Sequence, residues 1–67
     1  MPTFAERLKE LRIEKNLTMQ KLAVELETTH ATISRWESGH HTPNADMMMA
    51  ICKYFNCSAD YLLGLKD

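Results

Sequence analysis

The sequence predicts an all-α fold of five short helices within a single domain, residues 1–67. Apolar residues recur at spacings of three and four, which is the period of an α-helix. Ser, Thr or Asn residues precede these apolar stretches, and Asn or Gly follows most of them, as is typical of helix starts and ends. No segment alternates apolar and polar residues with a period of two, so strands are not expected.

The first helix begins at Thr3, which is predicted to form a capping box with Glu6, and continues to about residue 15. Asn16 ends it because asparagine tolerates left-handed backbone geometry. Leu17 is expected to fill the core before Thr18 caps the second helix. The apolar faces of these two helices are formed by Phe4, Leu8 and Leu11, and by Leu22, Ala23 and Leu26.

The third helix follows a break near Glu27, starts from Thr28 or Thr29, and closes at Ser38–Gly39. Ile33 and Trp36 form its apolar stripe, and the small Ala23 of the second helix lets the two helices touch at a steep angle. Its outer surface carries small groups, hydrogen-bonding groups and one guanidinium: Thr29, His30, Ala31, Thr32, Ser34 and Arg35. Such a surface is unsuited to a core and well suited to base edges and phosphates.

Pro43–Asn44 opens the fourth helix, and Ser58 caps a short fifth helix that Gly64 ends. The apolar residues of these two helices are Met48, Ile51, Cys52 and Phe55, and Leu62 and Leu63. Of the three consecutive methionines, Met47–Met49, helical geometry places only one or two inward. We therefore expect core packing with one or two exposed thioethers.

The composition is that of one small globular domain, with 45% hydrophobic and 25% charged residues among 67, which argues against disorder. We find no secretory signal and no apolar run long enough to span a bilayer, so we expect a soluble cytoplasmic protein without a membrane partner. The net charge of −1 is unusual for a protein that binds a polyanion. The placement of the cations therefore matters more than their number.

Cys52 and Cys57 are the only cysteines, and we expect them to be buried thiols. A disulfide and a zinc site with His40 and His41 are the alternatives, and the absence of CxxC spacing disfavours zinc. We expect no metal and no cofactor. No set of nucleophile, base and oxyanion donors is recognisable, so we do not expect an enzyme.

The chain resembles the DNA-binding domain of phage repressors and Cro proteins, also called the xenobiotic response element family, from Phe4 to Leu65. The matching segments are Arg7–Arg12, Leu17–Thr18 with Leu22–Ala23, Ile33–Gly39, Thr42–Pro43 and Asp60–Gly64. The resemblance implies a five-helix fold in which the second and third helices form a helix-turn-helix that binds a double-stranded DNA operator.

The resemblance also assigns residues to the DNA. The base-reading positions are His30, Ala31 and Arg35, with Ser34 as an auxiliary contact. Arg35 would hold guanine O6 and N7 through two hydrogen bonds, and Ala31 offers only a methyl group. The phosphate contacts would come from Gln20, Lys21, Thr29, Thr32, Ser38, His40 and His41.

Two positions depart from the family pattern. Met19 stands where the family usually has a glutamine that contacts a phosphate, and Gln20 is displaced by one. Glu27 stands at the turn position that is usually glycine, where a left-handed backbone costs another residue ~1–2 kcal/mol. Arg12 points inward by its register with Leu8. In the resembling family this arginine pairs with a glutamate at the end of the third helix, here Glu37, in a structural ion pair.

The resemblance further suggests a homodimer through Asn56, Ser58, Tyr61 and Leu65, of which Tyr61 and Leu65 are candidates for exposed apolar surface. A lone domain of this kind is expected to act as a small repressor or Cro-like switch. An antitoxin of a toxin–antitoxin pair and an antirepressor-type module that binds a protein partner remain alternatives, and an enzyme is a more distant one.

Overall fold

Five helices make up the computed structural model, which describes residues 3–65. They are α1 (Phe4–Glu14), α2 (Met19–Glu25), α3 (His30–Ser38), α4 (Ala45–Phe55) and α5 (Ala59–Leu62). No strand occurs among these residues, and the predicted all-α class is confirmed. None of the described helices is long and apolar enough to cross a membrane.

All five helices begin in the same way. In each, the side-chain oxygen of the N-cap residue accepts a hydrogen bond from the backbone N–H three residues later, which satisfies one of the unpaired N–H groups of the first turn. The caps are Thr3, Thr18, Thr29, Asn44 and Ser58. Thr3 and Glu6 form the full capping box, with Glu6 accepting from the Thr3 N–H at 3.1 Å. The predicted helix starts are confirmed.

The helices also end alike, because each is followed by a residue with positive φ. These residues are Asn16, Glu27, Gly39, Asn56 and Gly64. The N–H of the residue after each one donates to a carbonyl five positions earlier, as Leu17 does to Arg12 at 3.1 Å. This is the Schellman arrangement. Glu27, with a φ of 57°, adopts it without the short polar side chain or missing Cβ that usually permits it.

The core is built around α3, which packs against both α1 and α2. Its buried members are Phe4, Leu8, Leu22, Ala23, Leu26, Ile33, Trp36, Ile51, Phe55 and Leu62. Ala23 is fully buried, as expected for a close approach of α2 and α3, and Leu17 packs against the cluster. Leu63, in contrast, is 44% exposed, so only Leu62 of that pair belongs to the core.

The methionines of α4 and the two cysteines are half-buried or exposed rather than buried. Met47 and Met48 are half-buried against the core and Met49 is 57% exposed, which agrees with the helical geometry. Cys52 and Cys57 are free thiols, as expected, but they are half-buried rather than buried. Both lie at the end of α4, where Asn56 adopts the left-handed conformation and ends the helix.

Candidate nucleic-acid interface

The outer face of α3 is open. His30, Ala31 and Arg35 are exposed, and Thr32 and Ser34 are half-buried between them. The opposite face carries Ile33 and Trp36 into the core, which fixes the rotation of the helix about its axis. Among the described residues no carboxylate pairs with Arg35, so its five N–H donors are available to an external acceptor.

The N-terminus of α3 carries a pair of threonine hydroxyls. Thr29 Oγ1 accepts from the Thr32 N–H at 3.2 Å and lies 2.9 Å from Thr32 Oγ1. Either hydroxyl can donate to the other, and in both cases the second keeps its proton. This end of the helix therefore offers one free hydroxyl donor to an acceptor such as a phosphate, next to the positive end of the helix dipole.

At the C-terminal end of α3, Ser38 and His40 form a small hydrogen-bonded unit. Ser38 Oγ donates to the Arg35 carbonyl at 3.0 Å and lies 3.1 Å from His40 Nδ1. Because the hydroxyl proton of Ser38 is directed to that carbonyl, this geometry favours the His40 tautomer in which Nδ1–H donates to Ser38 Oγ. Ser38 thus orients His40 and has no proton left for a phosphate. His41 is exposed beside it.

On α2, the glutamine is shifted by one position relative to the pattern of the resembling family. Met19 is half-buried and packs against the core, so it makes no polar contact with DNA. Gln20 and Lys21 are exposed on the next positions of the helix. The side chains that α2 can offer to a phosphate are therefore those of Gln20 and Lys21.

Arg12 and Glu37 join α1 to the end of α3. Arg12 Nε donates to Glu37 Oε2 at 2.6 Å and Arg12 Nη2 donates to Oε1 at 3.1 Å, while Nη1 donates to the Leu17 carbonyl at 2.8 Å. The Glu37 side chain is only 3% exposed and that of Arg12 12%. A bidentate ion pair with so little exposure to water fixes the orientation of the two side chains and the distance between them. The pair therefore holds α3 against α1.

The four residues that the resemblance assigns to dimerisation differ in solvent exposure. Asn56, Ser58 and Leu65 are exposed, Leu65 by 67%. Tyr61 is half-buried, because the guanidinium carbon of Arg7 lies 4.1 Å from the centre of its ring. The expectation that Tyr61 presents exposed apolar surface was therefore only partly right.

Sequence reasoning missed two residues in this region. Arg7 is 8% exposed, and its buried Nε has no hydrogen-bond partner among residues 3–65. Its spacing from Phe4 (i, i+3) and Leu11 (i, i+4) could have placed it on the apolar face. Leu63, predicted together with Leu62 as an apolar residue of the fifth helix, is 44% exposed. No signal in the sequence separates it from Leu62.

Comparison with known proteins gives one consistent result. A helix-turn-helix family model matches residues 8–62. The chain is 43% identical over 61 residues to the HTH-type transcriptional activator BcrR of Enterococcus faecalis, covering 91% of this chain and 30% of that protein. It is 31% identical over 58 residues to repressor protein C2 of Salmonella phage P22, covering 87% of this chain and 27% of that protein.

The fold is also shared with a repressor bound to DNA. The crystal structure of the P22 c2 repressor in complex with a synthetic operator superposes with a TM-score of 0.88 at 28% identity, covering 94% of this chain and 96% of that chain. The chain spans less than a third of the full length of BcrR and of P22 repressor C2.

Proposed function

Since this chain belongs to the helix-turn-helix family, we propose that it is a sequence-specific DNA-binding transcriptional regulator that reads the major groove of an operator with α3. The observation that carries this proposal is the outer face of α3, where Arg35 lies exposed and forms no ion pair with a carboxylate of residues 3–65. A guanidinium held on a rigid helix suits the paired acceptors of guanine, O6 and N7. We assign the domain no catalytic activity.

Base reading falls to His30, Ala31, Ser34 and Arg35, which share the open face of α3. Arg35 supplies most of the discrimination, about 1–3 kcal/mol at one base pair. Ala31 contributes an apolar contact suited to a thymine methyl group. The limited chemical variety of this face predicts a short recognition sequence in each half-site.

Phosphate contacts position the domain on the duplex without carrying sequence information. Gln20 and Lys21 serve one strand from α2, and the threonine pair at the start of α3 supplies a hydroxyl donor. On the other side, His41 and the imidazolium form of His40 serve the backbone. With Nδ1–H directed to Ser38, His40 Nε2 needs its own proton to donate to a phosphate. Since the chain has a net charge of −1, we expect few phosphates to be neutralised and a shallow dependence of affinity on salt.

A homodimer is the assembly that we propose on DNA. Asn56, Ser58, Leu63 and Leu65 form an exposed surface around α5, and its two leucines are the apolar residues that a partner copy would cover. A two-fold dimer places two copies of α3 on successive major grooves, about 34–36 Å apart. The operator should then have dyad symmetry. We propose the regulator to be a small repressor or Cro-like switch.

The decisive experiment is an unbiased selection from random duplex DNA with the purified chain at a stated salt concentration. We expect a motif with dyad symmetry. Arg35→Ala should lose the information at one base pair per half-site and weaken specific binding by roughly 5- to 150-fold, the equivalent of about 1–3 kcal/mol. Lys9→Ala removes the same charge from an exposed position on α1 and should leave the motif unchanged.

Two results would contradict this assignment. A motif unchanged in Arg35→Ala would remove Arg35 from base reading. If the unmodified chain selects no motif but co-purifies with a protein partner, the domain is a protein-interaction module and not an operator-binding regulator. A single asymmetric half-site in the selected motif would refute the homodimer alone.

A further inference from the structure

The loop that follows α3 holds one imidazole through a single ring nitrogen. Ser38 Oγ lies 3.0 Å from the Arg35 carbonyl oxygen and 3.1 Å from His40 Nδ1. The carbonyl has no proton to give, so Ser38 is the donor in the first contact. A hydroxyl carries one proton, and Ser38 Oγ therefore accepts from His40 Nδ1 in the second contact.

This contact divides the two ring nitrogens of His40 between the protein and an external partner. In a neutral imidazole one nitrogen carries the proton and the other is an acceptor. With its proton on Nδ1, neutral His40 has only a lone pair at Nε2, which repels the oxygens of a phosphate. An imidazolium carries a proton on each nitrogen, so it can donate to Ser38 and to a phosphate at the same time. Histidine side chains change charge between about pH 5 and 8.

The charged groups of the neighbouring helices leave such an imidazolium without a partner in the protein. Glu6 of α1 and Glu37 of α3 line a cleft of about 470 Å³ beside this loop, together with His41. Both carboxylates are already engaged, the first in the capping box of α1 and the second in the ion pair with α1. Arg35 of α3 is itself a cation. Within residues 3–65 no histidine forms an ion pair, and His40 is exposed, so its positive charge is available to DNA.

We propose that Ser38 makes the phosphate contact of His40 conditional on protonation, so that each copy of the chain takes up a proton at His40 when it binds its operator. This inference rests on the proposed function and adds a control by pH to it. Because the DNA-bound chain holds more protons than the free chain, affinity for the operator rises as the pH falls from about 8 to about 6. Ser38 is a positioning residue, since it acts on DNA only through the ring of His40.

The test is operator binding by the full chain at about pH 6 and about pH 8, each over a series of salt concentrations. We expect an affinity roughly 2- to 5-fold higher per copy at the lower pH, the size of one exposed ion pair. The slope of log affinity against log salt should become steeper by roughly 0.9 per copy, because one more phosphate is neutralised. Equal affinities and equal slopes at the two pH values would overturn this inference alone. Absence of specific binding at both would refute the proposed function and this inference with it.

Two substitutions at Ser38 separate positioning from a purely structural role. Ser38→Ala frees Nδ1, so neutral His40 can carry its proton on Nε2 and donate to the phosphate without taking up another. We expect this variant to bind the operator at about pH 8 as tightly as the unmodified chain, and to lose most of the pH dependence. Ser38→Thr keeps the hydroxyl and is the matched control, with the pH dependence retained. Binding that is weakened equally at both pH values in Ser38→Ala would mean that the serine is structural only.

The ring of His40 can also be observed without DNA. Long-range ¹H–¹⁵N NMR of the free chain above about pH 8 distinguishes the protonated ring nitrogen from the other, and we expect the proton of His40 on Nδ1. His40→Gln keeps a side-chain N–H donor but cannot change charge, so it should lose most of the pH dependence of operator binding. A proton on Nε2 in the unmodified chain, or an unchanged pH dependence in His40→Gln, would refute the role of this residue.

Discussion

Two arginines on the same helix, α1, are held in opposite ways. Arg12, near its C-terminal end, donates three hydrogen bonds, two to Glu37 and one to the Leu17 carbonyl. Arg7, near its N-terminal end, is more buried as a residue and has no hydrogen-bond partner for its Nε among residues 3–65. Its guanidinium instead lies over the ring of Tyr61.

The difference shows that burial of a guanidinium can be tolerated by two physical means. A charge pair satisfies donors and acceptors but leaves a poorly solvated charge behind if either partner is removed. Stacking on an aromatic face leaves donors unpaired, yet no opposite charge depends on it. The end of α1 that supports α3 uses the pair, which is directional, and the end that meets α5 uses the stack.

Replacing each of the two arginines with methionine tests this comparison directly. The largest effect is expected at Arg12. Arg12→Met leaves the Glu37 carboxylate, only 3% exposed, without its partner, so we expect a loss of about 3–5 kcal/mol in the free energy of unfolding. Arg7→Met strands no charge and replaces the stem with apolar volume, so we expect a change within about 1 kcal/mol. Urea titration of both variants measures the difference.

A double-mutant cycle extends that test. Arg12→Met combined with Glu37→Met should be less destabilising than the sum of the two single changes, because the double variant leaves no unpaired charge. A coupling energy near zero would mean that the two residues act independently. Equal losses for Arg7→Met and Arg12→Met would remove the distinction between the two ends of α1.

The next largest effect is expected at Tyr61, the aromatic partner of Arg7. Tyr61→Leu removes the ring beneath the guanidinium and should lower the free energy of unfolding by about 0.5–2 kcal/mol. Tyr61→Phe keeps the ring and should change stability much less, which makes it the control. Thermal unfolding at low protein concentration separates this effect from dimerisation. If both variants lose the same amount, the hydroxyl and not the ring holds Arg7.

The next prediction concerns backbone strain at Glu27, in the turn between α2 and α3. Glu27 has a φ of 57°, so Glu27→Gly should stabilise the chain by up to about 1 kcal/mol, or leave it unchanged where the entropy of the unfolded chain offsets the relief of strain. Chemical denaturation measures the change. A loss of stability would show that the Glu27 side chain contributes more than its backbone costs.

The smallest expected effect is a pH dependence of stability that arises at Glu6, near the N-terminal end of α1. The backbone N–H and hydroxyl of Thr3 donate to Glu6 and hold its pKa below its ordinary value of about 4.5. A carboxyl with a lowered pKa in the folded state stabilises above its unfolded pKa, and this contribution disappears as the pH falls through the folded value. We expect a slight loss of stability below about pH 4.5. The loss should be smaller in Glu6→Gln, which cannot ionise.

Local signals were sufficient for the boundaries of the helices. An N-cap bond spans four residues and a Schellman motif six, so the caps and most ends could be predicted directly from the order of Thr, Ser, Asn and Gly. The outer face of α3 could be predicted for the same reason, since Ile33 and Trp36 determine which side is buried. The DNA roles of the exposed residues remain predictions, because they depend on a partner that the sequence does not contain.

The all-α class, the five helices and the side of α3 that faces outward follow from the order of the amino acids, since short-range geometry decides each of them. The packing of the helices was needed to show that Arg7 stacks on Tyr61, that Leu63 is exposed while Leu62 is buried, and that Cys52 and Cys57 are half-buried. These outcomes depend on how α1, α4 and α5 meet, and the approach of residues distant in sequence leaves no local pattern. Arg12 and Glu37 lie between the two cases: periodicity turned Arg12 inward, but only the packing of α1 on α3 brings its guanidinium to Glu37.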